Sequence, residues 1–210
     1  MALRQITFPV GPLACNCTVL GDEAAGSALV IDPGAGISHI IAILDEHGWK
    51  LAAIIVTHAH IDHIGGAAEL KRRTGAPVWL NPRDRRLYTT LEWQASWIGI
   101  PAPESTPIDA DLNATGGFEW GAHRLEVLET PGHTEGSVCL YLPQENKLFA
   151  GDTLFAGSVG RTDLPGGDWD ALQASLRGCL LTLPDATIVI PGHGPETTIG
   201  QERHFNPYLK

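Results

Sequence analysis

Four times along this chain a short apolar run ends in a tight turn, and each turn carries a side chain able to bind a metal ion. Leu51-Ala52-Ala53-Ile54-Ile55-Val56 runs into Thr57-His58-Ala59-His60-Ile61-Asp62-His63, and Leu125-Glu126-Val127-Leu128 into Thr130-Pro131-Gly132-His133-Thr134. Lys147-Leu148-Phe149-Ala150 precedes Gly151-Asp152-Thr153, and Thr187-Ile188-Val189-Ile190 precedes Pro191-Gly192-His193-Gly194. Runs this short read as strands, the first of them β-branched and buried on both faces. The ligand-type residues therefore gather at strand ends, where Gly and Pro make the turns.

Any one of these turns is ordinary hairpin chemistry, and a lone histidine is most often a hydrogen-bonded structural residue. Residues 58–63 are different, because three imidazoles and a carboxylate within six positions have few uses besides metal binding. His58 and His60, two apart on extended backbone, point to the same side, whereas His63 leaves in another direction at a helix start. The following helix carries Ile64, Ala67, Ala68 and Leu70 against Lys71, Arg72 and Arg73, with Asp62 expected at its N-cap and Gly75-Ala76-Pro77 beyond its end. With the three later turns, this stretch reads as half of a two-metal site.

The set His58-x-His60-x-Asp62-His63, His133, Asp152 and His193 resembles the ligand pattern of the metallo-β-lactamase-fold hydrolases, and within them the compact glyoxalase II-like (hydroxyacylglutathione hydrolase-like) branch. The resemblance runs from Asn16 in Ala14-Cys15-Asn16-Cys17, through Ile31-Asp32-Pro33-Gly34, to the turn at His193. It implies that His58, His60 and His133 hold one metal, that Asp62, His63 and His193 hold the other, and that Asp152 bridges them. An aspartate rather than a cysteine follows Gly151, and Asp62-His63 is intact, which separates this chain from the secreted zinc β-lactamases. The fold implied is α/β, a four-layer αββα sandwich. The cofactors implied are two divalent metal ions, zinc first, with iron and manganese also suited to histidine and carboxylate donors. The reaction implied is hydrolysis of a thioester of the S-D-lactoylglutathione type. In it a metal-bridging hydroxide attacks the carbonyl, and the catalytic carboxylates Asp62 and Asp152 hold the site together, Asp62 also orienting the nucleophile.

In the glyoxalase II family much of the grip on glutathione comes from an extra C-terminal helical region. Here only residues 195–210 follow His193, enough for one short helix with Glu196, Ile199 and Arg203. The expected organisation is one domain over residues 1–210, without a separate C-terminal helical substrate domain. Persulfide dioxygenases share the fold and a Gly-Arg-Thr-Asp stretch like Gly160-Arg161-Thr162-Asp163. They use a single iron on residues matching His58, His133 and Asp152, so persulfide oxidation by mononuclear iron is the alternative function.

The remainder of the chain bounds these readings. With 210 residues and no linker or repeat, the chain can bury one sizeable core. Met1-Ala2-Leu3-Arg4-Gln5-Ile6 lacks a signal pattern and no run of about 18 apolar residues occurs, so a cytoplasmic protein without membrane association is expected. Cys15 and Cys17 are expected to point to opposite faces of a strand as reduced thiols, with no catalytic role. The formal net charge of −10 argues against nucleic-acid binding, and an anionic thioester must be recognised locally. Lys71-Arg72-Arg73, Arg83, Arg85 and Arg86 are candidates for such a patch, although runs of this kind usually solvate a helix face. Arg161 is a candidate for a substrate carboxylate, or pairs with Asp163 or Asp170.

A helix is expected over Ile37–His47 with Ile40, Ile41, Ile43 and Leu44 buried, and another over residues 168–183. Further strands are expected at residues 18–20, 28–31 and 77–80. Tyr88, Trp93, Trp97 and Ile98 fall between predicted elements, either as an apolar lid over the metals or as core. His39, His47, His123 and His204 have no motif around them and read as structural or surface residues.

Overall fold

The computed structural model describes residues 3–113 and 117–210; Met1 and Ala2, which open the N-terminal stretch read above, lie outside them. The chain forms two compact units, Met1–Leu80 with Arg85–Asp111, and Asn81–Asp84 with Leu112–Lys210.

The first unit contains β1 (Leu3–Val10), β2 (Cys15–Asp22), β3 (Ser27–Ile31), α1 (Ile37–His47), β4 (Lys50–Ile55), α2 (Ile61–Ile64), α3 (Ala67–Thr74), β5 (Val78–Leu80), α4 (Arg85–Tyr88), α5 (Leu91–Ile98) and β6 (Ala110–Asp111). Its six strands pair in sequence order. β1, β2 and β3 are antiparallel neighbours, whereas β3 to β6 run parallel. Parallel neighbours need crossovers, and α1 and the α2–α3 pair supply two of them. Ala28 and Val30 of β3 share a hydrophobic cluster with Ile40 and Leu44 of α1, and Leu29 and Ile31, on the opposite face by strand period, are buried as well. Burial on both faces explains why β3 and β4 read as continuous apolar runs.

The second unit contains β7 (Phe118–Trp120), β8 (His123–Glu129), β9 (Val138–Leu142), β10 (Lys147–Gly151), β11 (Leu154–Phe155), β12 (Ser158–Val159), α6 (Trp169–Gly178), β13 (Ile188–Pro191), β14 (Thr197–Thr198) and α7 (Ile199–Phe205). Its main sheet has the order β14-β13-β10-β9-β8-β7, and β11 and β12 form a separate hairpin. Leu172 and Leu176 of α6 and Ile199 of α7 share a cluster with Leu148, Ala150 and Val189 of the sheet. Asp168 caps α6, accepting from the Ala171 N–H at 2.9 Å, and the helix expected over residues 168–183 ends at Gly178.

Several expectations need correction. Asp62 is not an N-cap: His60 occupies that position before α2, and Asp62 lies inside its first turn. The helix expected through Arg73 is broken at Gly65-Gly66, where the Gly66 N–H donates to the Pro33 carbonyl at 2.9 Å and pulls the chain toward the β3–α1 loop. Ile37 rather than Ile41 completes the buried face of α1. Cys15 and Cys17 do not face opposite ways, since residues two apart on a strand share a face; both are fully buried free thiols in one cluster. Burial pushes the Cys15 thiol up to about 11, partly offset by His63, so it packs as a neutral side chain. Trp93 and Trp97 lie on α5, 51% and 58% exposed and stacked with ring centroids 6.1 Å apart, which excludes core packing for this pair. Among the described residues no helix is long and apolar enough to cross a membrane.

Ile40 carries the packing of α1 onto its sheet and is fully buried. Ile40→Ala is expected to cost about 2–5 kcal/mol of stability, seen as a lower urea midpoint at unchanged slope.

Candidate metal centre

In the first unit, the C-terminal ends of β3 and β4 lie side by side, with Ile31 opposite Ile55 and the Asp32 N–H donating to the Ile55 carbonyl at 3.0 Å. Asp32 takes a left-handed backbone (φ +52°), which Asp tolerates better than most residues, and its side chain is buried. Its Oδ1 accepts from the Thr57 N–H at 2.7 Å. Its Oδ2 accepts from the Thr57 hydroxyl at 2.7 Å and from His63 Nδ1 at 2.9 Å.

These bonds set the protons of two imidazoles. With Nδ1–H committed to Asp32, His63 presents Nε2 as a lone pair, 3.7 Å from Asp62 Oδ2. With its own hydrogen committed to Asp32, the Thr57 oxygen accepts from His58 Nδ1 at 3.1 Å, so His58 also presents an unprotonated Nε2. That nitrogen lies 3.1 Å from His60 Nδ1. His58, His60, Asp62 and His63 are thus brought together, as the spacing predicts. Gln94, buried on α5, holds the loop from outside the motif: its Oε1 accepts from the Ile61 N–H at 2.9 Å and its Nε2 donates to the Ala59 carbonyl at 3.3 Å. Gly34 lets the β3–α1 loop pass against α2, because a Cβ there would overlap the Asp62 carbonyl.

In the second unit, β8, β10 and β13 run in one direction, so their C-terminal ends share one edge of the sheet. His133 sits in the loop after β8. The buried Asp84 shapes that loop by accepting from the Thr134 hydroxyl at 2.9 Å and the Gly136 N–H at 2.7 Å. His133 Nδ1 donates to the Arg161 carbonyl at 2.8 Å, which again leaves Nε2 as the lone-pair nitrogen. Gly151 and Pro191 are opposite one another in β10 and β13, and the Gly192 N–H donates to the Gly151 carbonyl at 2.7 Å. This pairing brings His193 beside Asp152. His133 Nε2 and His193 Nε2 lie 3.7 and 3.6 Å from the same Asp152 oxygen. Ligands about 2.1 Å from a metal at tetrahedral angles stand about 3.4 Å apart, so this spacing suits donors that share an ion better than donors bonded to each other. Gly160 is confined here too, since a Cβ would overlap the Asp152 carbonyl and stand 3.1 Å from His133 Cβ.

In each unit the imidazole and carboxylate donors are of the kind that fits a divalent metal. Arg161 pairs with Asp163 through two bonds of 2.7 and 2.8 Å, and this guanidinium holds the Asp163 carboxyl down to about 2. Four of the other basic candidates also have surface partners, Lys71 with Asp109, Arg73 with Glu69, Arg83 with Glu129 and Arg85 with Asp111. Gln94 and Asp84 carry no local mark in the sequence, because they stand far along the chain from the turns they hold. Asp32 was visible only as part of the Ile31-Asp32-Pro33-Gly34 turn. Asp32→Ala is expected to weaken metal affinity about 10- to 100-fold, measured by competition with a chromophoric chelator, with circular dichroism to check the fold. Unchanged affinity would remove the orienting role given to Asp32.

The profile of the Metallo-beta-lactamase superfamily matches residues 10–193 of this chain. The hydroxyacylglutathione hydrolase GloC of Haemophilus influenzae is 37% identical over 204 residues, covering 96% of either protein. The crystal structure of BLEG-1 B3 metallo-beta-lactamase superposes with a TM-score of 0.91 at 38% identity, covering 98% of this chain and 99% of that one. That of TTHA1623 in a di-iron-bound form gives a TM-score of 0.87 at 40% identity, covering 97% of this chain and all of the other. The expected fold is therefore the one the chain has. Two mixed sheets flanked by helices, with histidine and aspartate donors at their strand ends, belong here to a member of the metallo-β-lactamase superfamily.

Proposed function

We propose that this protein is a binuclear metallohydrolase that cleaves thioesters of the S-D-lactoylglutathione type. In this reading His58, His60 and His133 hold one divalent ion, Asp62, His63 and His193 hold the second, and Asp152 bridges them. The observation that carries it is the position of Asp152, one of whose oxygens has both His133 Nε2 and His193 Nε2 within 3.7 Å. A carboxylate flanked by two imidazoles suits a bridge between ions. The full-length similarity to a hydroxyacylglutathione hydrolase supports the substrate class, and the di-iron-bound relative supports two ions.

Two bound divalent ions supply a hydroxide nucleophile at neutral pH, by lowering the pKa of water from about 15.7 to about 7, and a positive charge for the developing oxyanion. No serine or cysteine nucleophile is then required of the chain. Asp32 and the Arg161 carbonyl keep His63 and His133 in the tautomer that binds through Nε2. Asp62, at the first turn of α2, orients the attacking water. A thiol of pKa about 8.5 leaves as thiolate, so the site needs no general acid.

Protein purified without added metal is expected to contain two metal ions per chain and to hydrolyse S-D-lactoylglutathione. Asp152→Ala is expected to lose metal pairing and at least about 100-fold in turnover. Two retained metals with full turnover would dismiss Asp152 as the bridge. One iron per chain with persulfide-dependent oxygen uptake would replace hydrolysis by the oxidative alternative.

A further inference from the structure

Beside Asp62 the first unit holds a pocket of about 170 Å³ that none of the ligand assignments uses. Its walls come from the β1–β2 turn (Pro12), the β3–α1 loop (Ala35), α2 (Ile61, Asp62) and the segment leaving α5 (Ile98, Ile100). Its remaining lining residues are glycines and prolines, so Asp62 is the single polar residue among them. No cationic side chain lines it.

The pocket is held in shape. Prolines at 12, 101 and 103 restrict its walls. The segment after α5 is fastened by the Ile100 N–H donating to the Ala95 carbonyl at 3.1 Å. Farther on, the Thr106 N–H donates to the Tyr88 hydroxyl at 2.7 Å, while that hydroxyl donates to the Thr106 carbonyl at 2.9 Å. A pre-formed apolar pocket spends little of its binding energy on ordering itself.

Size and charge decide what it takes. An apolar cavity of about 150 Å³ admits a benzene molecule, so this one suits a group of four to six carbons and is far too small for a tripeptide thiol. A carboxylate entering it would give up its water to mostly apolar walls that offer no cationic side chain. The thiol half of a glutathione thioester is therefore excluded on both counts, and the acyl half is what fits.

We infer that this pocket is the acyl-group subsite, and that the preferred substrates are thioesters of compact, uncharged, apolar acyl groups. The inference rests on the thioesterase reading above and narrows it. A lactoyl group fits the volume but leaves part of it unfilled.

The test is a series of glutathione thioesters with acetyl, propanoyl, butanoyl, 3-methylbutanoyl, D-lactoyl and succinyl groups, assayed with the metal-loaded enzyme. From acetyl to butanoyl, kcat/KM is expected to rise about three- to fourfold per methylene, from the free energy of burying each CH₂. Butanoyl and 3-methylbutanoyl should exceed lactoyl, and succinyl should fall well below butanoyl. Ala35→Leu fills the pocket and is expected to flatten the chain-length dependence. Ile100→Ala enlarges it and should shift the optimum to longer chains, which keeps the test valid if the first variant folds poorly.

A readout separate from turnover is the isoleucine methyl spectrum of the zinc-loaded protein. Titration with 3-methylbutanamide should shift the Ile61, Ile98 and Ile100 methyls saturably, and the Ala35→Leu variant should not respond. Turnover without chain-length dependence, or methyls that do not respond, would overturn the acyl subsite and leave the thioesterase reading standing. If none of the thioesters is hydrolysed at full metal loading, the thioesterase reading fails and the acyl assignment falls with it.

Discussion

The buried carboxylate of Asp32 is the interaction on which the first half of the metal centre depends. It receives three hydrogen bonds, two from Thr57 and one from His63, and so joins the end of β3 to the end of β4 and to the start of α2. Each of those donors would cost about 1–3 kcal/mol if left buried without a partner, so the arrangement is hard to loosen one bond at a time. Its chemical effect is larger than its structural one. By accepting from the Nδ1–H of His63 and, through the Thr57 hydroxyl, fixing the Nδ1–H of His58, it leaves the Nε2 lone pair of each imidazole as the donor.

The second unit reaches the same end by a different route. There the backbone orients His133, through the Arg161 carbonyl, and the parallel pairing of β10 with β13 sets His193 beside Asp152. Parallel strands leave a sheet at the same edge, so residues 41 positions apart in sequence become neighbours without any long side chain reaching between them. The glycines at 34 and 160 belong to the same logic, because each lets backbone pass where a Cβ would strike the carbonyl of a candidate ligand. Rigid strand ends carrying short loops hold donor atoms more firmly than long loops do.

Much of this was legible in the chain. Short apolar or alternating runs ending in Gly-, Pro- or His-rich turns identified β4, β8, β10 and β13, because burial and forced turns leave marks in consecutive residues. The strands β1 and β9 and the helix α5 were not read. β1 has no fully apolar face, its residues being mostly half-buried, and α5 places two exposed tryptophans among its polar residues, which blurs the helical period. The break at Gly65-Gly66 leaves no local mark for a related reason: the hydrogen bond from Gly66 to Pro33 is tertiary, and the local pattern of Ile64, Ala67 and Leu70 still reads as one helix.

By itself the sequence determined the kind of donor at each strand end, the superfamily to which those donors belong, and the elements that present them. It could do so because metal ligation demands particular side chains and strand ends demand particular turns, and both demands are met within a few residues. Only the tertiary structure decided which nitrogen of His58, His63 and His133 is left as the donor, that Gln94 and Asp84 hold the candidate ligand loops, and that an apolar pocket lies against Asp62. Those features arise from groups 30 to 50 residues apart meeting across strand ends, and contacts at that range leave no local pattern in the chain.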